Sequence, residues 1–170
     1  MPQFLEYWSS VRSRTRRIVQ CIPGESIEWT YQPGKWTLGD LVRHLAAMER
    51  WMFAENVAGR PSGYPGCGPE LARGKAAVIE YLDAMDRDSI AIFSALTDTE
   101  LRQKCRTPGG VSITAWKWLR AMVEHEVHHR GQIYFMLGML GIATPPLYGL
   151  TAEEVHARSA PVGRPLSRGA

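Results

Sequence analysis

The sequence predicts an all-α protein built as a four-helix bundle. Four segments place apolar residues three and four positions apart, which is the spacing of a helix buried on one side. They are residues 3–21, a segment that begins at Thr37, residues 71–96 and residues 114–140. Hardly any segment alternates apolar and polar residues as a β-strand does. Long amphipathic helices without a sheet bury their apolar faces against one another, and this predicts the bundle.

Composition narrows the class of protein further. With 170 residues, 45% of them hydrophobic and 22% charged, the chain can bury its own core as one soluble domain. We expect the bundle domain to cover residues 1–160 and a disordered, Pro-, Gly- and Arg-rich tail to cover residues 161–170. The net charge is +3, and the basic residues are scattered among acidic ones, which argues against a nucleic-acid partner. No apolar run is long enough to span a membrane. Three cysteines without CxxC spacing and no apolar leader predict a reduced, cytoplasmic protein.

The first two helices have distinct polar features. The first carries four arginines that we expect mostly on its outer side: Arg12, Arg14, Arg16 and Arg17. The second has a capping-box-like start in Thr37 and Asp40, with Trp36 where a hydrophobic staple would lie. We expect Glu49 to be a surface carboxylate. The alternative is that it holds a buried histidine through a hydrogen bond.

The connections between helices are also apparent. Residues 59–70 are rich in Gly and Pro and predict an irregular loop, in which Cys67 has no evident role. Residues 104–113 suggest a small hairpin around Pro108, and Thr114 is then placed to cap the fourth long helix. Thr151 begins a capping-box-like sequence that predicts a short closing helix.

Three histidines fall on helix faces that must point inward. His125 and His129 are four residues apart, so their rings lie one turn apart on the same face. That face also carries Trp118, Met122, Ile133, Met136 and Leu140. His44 lies on the apolar face of the second helix, with Leu41, Leu45, Met48, Met52 and Glu55. Inward side chains of facing helices are how bundles build metal sites, and imidazole suits Zn, Ni, Cu or Fe(II). Three histidines without a fourth ligand leave positions open, as in catalytic sites.

Two alternatives compete with this three-histidine site. The first is three separate core histidines, each satisfied by its own hydrogen bonds. The second is a zincin-type hydrolase, because His125, Glu126 and His129 match the H-E-x-x-H pattern and Glu153 or Glu154 could supply a third ligand. The lack of a predicted sheet, which would hold an extended peptide, argues against the zincin. His128 lies about 100° from the His125/His129 face and is expected either at its boundary or in contact with one of the ligand histidines, and His156 is expected to be exposed.

The chain resembles the DinB/YfiT-like family of metal-dependent proteins. The resemblance rests on His44, on Glu124-His125-Glu126-Val127-His128-His129-Arg130-Gly131-Gln132, and on the closing sequence from Pro146 to Thr151. It implies a four-helix bundle, often a homodimer, with a divalent metal ion, commonly Zn or Ni. It also implies that His44, His125 and His129 are the ligands, as the helix faces suggest. Arg130 could then attract an anionic substrate or form a salt bridge across a dimer.

The resemblance also implies a range of functions. Characterised members include transferases and isomerases that use the low-molecular-weight thiols bacillithiol or mycothiol. We therefore expect a metal-dependent transferase that acts on a small-molecule substrate with such a thiol. The alternative is a metal- or small-molecule-binding stress-response bundle without turnover. Apolar caps over the open metal positions would favour binding, and polar groups such as Arg, Tyr or Glu would favour catalysis.

Trp116 bears on oligomeric state. It lies about 160° from the histidine face of the fourth helix, where it would meet solvent in a monomer. Exposed aromatic side chains are typical of protein–protein surfaces, so we expect a homodimer.

Overall fold

Four long helices form the body of the protein, as the sequence predicts. The structure, a computed structural model, describes residues 1–159. Helix α1 is Pro2–Gln20, α2 begins with Leu38–Met48, α3 is Lys75–Ser94 and α5 is Ala115–Met139. Helix α2 packs along α3, and α1 packs against α5. The predicted all-α bundle is confirmed. The tail predicted over residues 161–170 lies outside the described residues.

Helix α2 begins as predicted and then departs from regular α-helical geometry. Thr37 accepts a hydrogen bond from the amide of Asp40, and the Asp40 carboxylate accepts one from the amide of Thr37. After Met48 the helix widens into a π-helical segment, Glu49–Ala54, and closes with the α-helical turn Glu55–Val57. A π-helical turn changes the direction of every following side chain, and such segments are frequent near functional sites.

The smaller elements follow the expected order, with different boundaries. The five-residue helix α4, Asp98–Arg102, precedes an antiparallel hairpin of β1, Lys104–Arg106, and β2, Ser112–Thr114. Helix α6 is Ala152–Arg158. A 3₁₀ turn, Gly24–Ser26, lies between α1 and α2.

Two local expectations were wrong. Helix α3 begins at Lys75 instead of Leu71, because Gly74 adopts a positive φ of 81° that breaks the helical path. Thr114 stands at the start of α5 but its side chain makes no capping hydrogen bond. Its backbone ends the hairpin opposite Lys104 instead.

The apolar core is divided into two clusters along the bundle. One contains Ile18, Leu45, Leu82 and Ile133 at its centre. The other contains Trp8, Phe53, Phe93, Leu119 and Met122. Between them lies a charged layer to which each long helix contributes one side chain: Arg12, Glu49, Asp86 and Glu126. Every one of these four side chains is at least 97% buried.

Arg12 is the centre of that layer, which corrects the expectation that it faces solvent. Its guanidinium pairs with Glu49, lies 3.2 Å from the Glu126 carboxylate and lies 3.5 Å from the Asp86 carboxylate. Arg16 contributes a second cation by donating to Asp86 at 2.9 Å. Arg12 is 0% exposed, and it occupies the apolar stripe of α1 between Trp8 and Thr15.

None of the helices in residues 1–159 is long and apolar enough to cross a membrane.

Candidate metal centre

The three predicted histidines lie together at the interface of α2 and α5. One side-chain nitrogen from each of His44, His125 and His129 lies within 4.8 Å of the other two. The Nε2 atoms of His44 and His125 are 3.0 Å apart. The ring centroids are 4.5 to 5.0 Å apart, each ring tilted strongly against the others, so the three rings surround a common point.

Two of the three rings are held by hydrogen bonds at Nδ1. The His129 Nδ1 lies 2.7 Å from the Gln132 Oε1, one turn further along α5. Because that oxygen only accepts, Nδ1 must carry the hydrogen and Nε2 keeps its lone pair. The His44 Nδ1 lies 2.7 Å from the Tyr64 hydroxyl, which is compatible with the same tautomer. Ligand histidines in metalloproteins are oriented by this type of hydrogen bond.

Tyr64 reaches His44 because a buried arginine anchors its loop. Arg43, adjacent to His44 on α2, is 0% exposed. It donates to the backbone oxygens of Cys67 and Ala72 at 2.7 and 2.9 Å, and it also pairs with the carboxylate of Glu28. These hydrogen bonds hold residues 67–72 against α2, and Tyr64, three residues before Cys67, contacts His44.

Aromatic side chains form the walls of the histidine cluster. The Trp36 ring lies 4.6 Å from the ring of His44 and 5.8 Å from that of His129. Phe53, from the π-helical segment of α2, lies 5.8 Å from His125 on the other side. Trp36, which lies where a hydrophobic staple for α2 was expected, also contacts the histidine rings.

Burial in this aromatic setting keeps the imidazoles neutral. Loss of water, together with the smaller effect of the nearby His129, lowers the pKa of His125 to about 3 and that of His44 to about 4. Burial lowers the pKa of His129 as well. Neutral imidazoles have free lone pairs at neutral pH, which is the form that binds a metal ion.

The arrangement fits a divalent metal ion. Ligand nitrogens that share one zinc ion lie about 2.0–2.1 Å from it, and therefore within about 4.2 Å of each other. The His44–His125 pair already meets this limit at 3.0 Å. Three imidazoles are the donor set that Zn, Ni, Cu and Fe(II) prefer over Mg or Ca. His44, His125 and His129 are the residues that could hold the ion, and their role as ligands stays a prediction.

The charged layer removes two carboxylates that the sequence left open as participants. Glu49 is 2% exposed and bound to Arg12, so it is neither a surface group nor the partner of a histidine. Glu126 is equally buried and lies 3.2 Å from Arg12 on the side of α5 that faces α1. The zincin mechanism needs this glutamate as a general base beside the metal, and here it is engaged elsewhere.

The other candidates lie outside the group of three histidines. His128 is exposed, but its ring lies 4.8 Å from that of His129, which fits its expected place at the boundary of the histidine face. His156 is exposed on α6, as expected. Glu153 and Glu154 are exposed, and Glu154 accepts from the Thr151 amide at 2.7 Å. Burial raises the pKa of Cys67, so its thiol has no activation.

Arg130 and Gln132 follow His129 on α5 and have separate structural roles. Arg130 is 3% exposed and donates to the backbone oxygen of Val11 at 3.1 Å, which ties α5 to α1. The two roles that the resemblance suggested for Arg130, attraction of an anionic substrate or a salt bridge across a dimer, stay predictions. Gln132 orients His129.

Sequence reasoning missed Tyr64, Trp36 and Gln132 as neighbours of the site. The Gln132 contact has a local signal, since residues three apart on a helix are neighbours. Tyr64 and Trp36 lie in loops, where no periodicity states which way a side chain points.

Comparison with known proteins agrees with this fold. A family model described as the DinB superfamily matches residues 7–133. The uncharacterized protein YrdA of Bacillus subtilis (strain 168) is 24% identical over 157 residues, which are 91% of each chain.

Two solved structures are similar to this chain. A DinB-like protein from Bacillus cereus ATCC 10987 superimposes with a TM-score of 0.72 at 20% identity, over 86% of this chain and 96% of that one. A DinB-like protein from Bacillus subtilis, YjoA, gives a TM-score of 0.69 at 19% identity, over 85% and 96%. At such identities the likeness shows the fold alone. Because the family model matches well over half of the sequence, this chain belongs to the DinB superfamily.

Proposed function

We propose that this protein is a metal-dependent enzyme whose ion is held by His44, His125 and His129. The observation that carries the proposal is the convergence of three neutral imidazoles, two of them held at Nδ1 by Gln132 and Tyr64. Zn or Ni is the proposed ion, from the donor set and from the DinB resemblance. Within residues 1–159 no fourth protein ligand joins the three histidines, which supports open coordination positions.

The proposed reaction is transfer of a low-molecular-weight thiol to a small electrophile. A bound divalent ion lowers the pKa of a coordinated thiol, so that thiolate is available near neutral pH. In the transfer, the sulfur forms a bond to the electrophilic carbon, the bond to the leaving group breaks, and the thiol proton goes to solvent. The protein's own residues orient the ligands through Gln132 and Tyr64, and Trp36 and Phe53 exclude water.

The first experiment tests the metal. Elemental analysis of the purified protein should give close to one Zn or Ni per chain. His44→Ala, His125→Ala and His129→Ala should each lose that metal, and the adjacent His128→Ala should keep it. Unchanged metal content in His44→Ala would refute the three-ligand site.

A second experiment tests the reaction on protein whose metal content has been verified. Cysteine, glutathione, bacillithiol and mycothiol would each be supplied with 1-chloro-2,4-dinitrobenzene, which releases chloride as the thioether forms. We expect at least one thiol to be consumed faster than without protein, and His129→Ala to abolish the difference. If none of the four is consumed by fully loaded protein, the transferase proposal fails.

The second candidate function is binding without turnover, and one contact favours it. Trp36 lies against His44 and His129, as an apolar cap would. Tyr64 on the same cluster is a polar group, and it favours chemistry. Trp36→Ala tests whether the indole caps the open metal positions. Faster thiol consumption would identify Trp36 as an obstacle to turnover, whereas loss of consumption would place it in the substrate site.

We further propose a homodimer that acts in the reducing cytoplasm. Trp116 is 44% exposed at the start of α5, and the three cysteines are free thiols, as a reducing compartment requires. Light scattering at micromolar concentration should give twice 19.1 kDa, and Trp116→Glu should lower that mass. A mass near 19.1 kDa for the unchanged protein would exclude the dimer.

A further inference from the structure

A cavity of about 610 Å³ opens beside His129, between α5 and the loop that precedes α2. Its volume falls in the range of sites that take small organic molecules. His129 and Gln132 form part of its wall, so the cavity adjoins the proposed metal centre directly. Trp36 borders both, since it lines the cavity and contacts the rings of His44 and His129.

The wall of the cavity is apolar and solvent-accessible. Phe135 is 69% exposed, Met139 is 51% exposed and Trp36 is 43% exposed, and all three line it. Side chains of this size at a surface without a partner lose the free energy that burial would give. Aromatic rings and thioethers are also suited to contact the faces of flat molecules.

The cavity wall has few polar groups, and its charge is positive. Among the lining residues, all within the described part of the chain, Lys35 is the one that carries a full charge at neutral pH. It is exposed and sits next to Trp36 on the loop before α2. Tyr31 adds a hydroxyl on the same loop. No carboxylate lines the cavity, so a cation would find no partner there, whereas an anion would find Lys35.

We propose that this cavity binds the small-molecule co-substrate, and that this molecule has a flat apolar body and one anionic group. The body lies against Trp36, Phe135 and Met139, and the anionic group pairs with Lys35. The inference rests on the proposed function, in that the cavity opens onto His129 of the metal centre. It goes beyond that function by stating the chemical class of the molecule.

The test uses two fluorescent probes that share one body and differ in one charge. 8-Anilinonaphthalene-1-sulfonate carries the anion, and N-phenyl-1-naphthylamine lacks it. Both should bind the metal-loaded protein with one site, the sulfonate more tightly. Phe135→Ala should weaken both probes about tenfold, because it removes part of the shared apolar contact. Lys35→Glu should weaken the sulfonate about five- to tenfold and change the neutral probe by less than twofold.

Lys117→Glu is the matched control, since Lys117 is also an exposed lysine next to a tryptophan, and it lies at the far end of α5, five helical turns from the cavity residue Phe135. It should leave both probes unchanged. Equal loss of both probes in Lys35→Glu, or loss of neither, would overturn the proposal. So would sedimentation showing that Phe135→Asp converts a dimer to a monomer, because a second copy of the chain would then cover the cavity.

Metal content measured on the same samples separates this proposal from the function on which it rests. If the protein holds its metal through the three histidines but binds neither probe, the cavity proposal alone fails. If it holds no metal yet binds the sulfonate with the expected dependence on Lys35, the assignment of an anion site stands and the metal-dependent function fails.

Discussion

Two buried polar groups lie side by side in this bundle, and they are satisfied in opposite ways. The charged layer places Arg12 among Glu49, Asp86 and Glu126, so each charge meets opposite charges within the chain. The histidine cluster places three like groups together, with His44 and His125 in contact through their Nε2 atoms. All of these side chains come from the helices that form the core, and Glu126 directly follows His125 in sequence.

This difference distinguishes the charged layer, which is a structural element, from the histidine cluster. A buried carboxylate needs a cation nearby, and Arg12 supplies one from within the fold. Three imidazoles cannot stabilise each other in this way, because they are all bases and repel one another once protonated. A divalent cation between them would accept the lone pairs of all three nitrogens. The charged layer therefore completes the bundle, whereas the histidine cluster is suited to an external ion.

The largest expected effect comes from removing the centre of the charged layer. Arg12→Met leaves three buried carboxylates with too few cations, and we expect a loss of about 3–5 kcal/mol in the free energy of unfolding. Urea denaturation of the metal-free protein measures it. Arg17→Met, an exposed arginine on the same helix, should change stability by less than about 0.5 kcal/mol.

A second variant keeps this prediction testable if Arg12→Met fails to fold. Adding Glu49→Gln to Arg12→Met should recover part of the loss, because one uncompensated charge disappears. A loss below about 1 kcal/mol in Arg12→Met would show that the carboxylates are stable without the arginine, and the contrast between the two regions would be lost.

Next in size is the stabilisation by metal. Free Zn²⁺ at one hundred times its Kd should add about 2.7 kcal/mol to the stability of the protein, and thermal melts with and without chelator measure the increment. His129→Ala should abolish it. Arg12→Lys should fold with lower stability yet keep the increment, because it alters the other region. An equal increment in His129→Ala would place the metal elsewhere.

A dependence on pH should follow from the histidine cluster in the metal-free protein. His44, with a pKa of about 4, and His125, with a pKa of about 3, stay neutral in the folded state, whereas both gain a proton near pH 6.5 when unfolded. The free energy of unfolding should therefore not depend on these two histidines above about pH 6.5. It should fall as the pH drops toward 4, by at most about 1.4 kcal/mol per pH unit for each histidine.

The comparison that isolates this effect is between the unchanged protein and His125→Phe, melted in chelator from pH 7.5 to pH 5. Carboxylates titrate equally in both, so their contribution cancels. The slope should be shallower in His125→Phe. Parallel curves would mean that His125 is protonated to the same extent in the folded and unfolded states.

The smallest effects should come from the residues that orient the ligands. Gln132→Ala and Tyr64→Phe should each weaken metal affinity about tenfold, through loss of the Nδ1 hydrogen bonds of His129 and His44. Competition with a chromophoric chelator measures the Kd. Gln32→Ala and Tyr7→Phe, exposed residues of the same types, serve as controls. If Gln132→Ala leaves the metal affinity unchanged, the hydrogen bond from His129 to Gln132 does not contribute to metal binding.

Residues within one helix were predictable because their neighbours are fixed by the helical repeat. The spacing of His125 and His129 placed them on one face, and the Thr37–Asp40 capping box set the start of α2 where it is observed. The apolar stripe of α5 was placed correctly in part, because Met122, His129, Ile133 and Met136 are buried, whereas Trp118, His125 and Leu140 are half-buried at its edge. Such features depend on contacts three or four residues apart, which any α-helix must make.

The burial of Arg12 was not predicted from the sequence. It occupies the buried stripe of α1, so the periodicity contained the signal, yet an arginine in such a stripe is usually interpreted as solvated. Its burial is tolerable only because Glu49, Asp86 and Glu126 arrive from three other helices. No local pattern states that these four residues meet at one level of the bundle.

By itself, the sequence determined the class of fold, the main helices and the two faces that carry the histidines, because each depends on local periodicity. The tertiary structure alone decided that His44 meets His125 and His129, that Tyr64 and Trp36 close over them, and that α2 widens after Met48. Those outcomes depend on how α2, α5 and the loops pack. The free energy of a buried polar group is set by partners distant in sequence, and only the packed bundle brings them together.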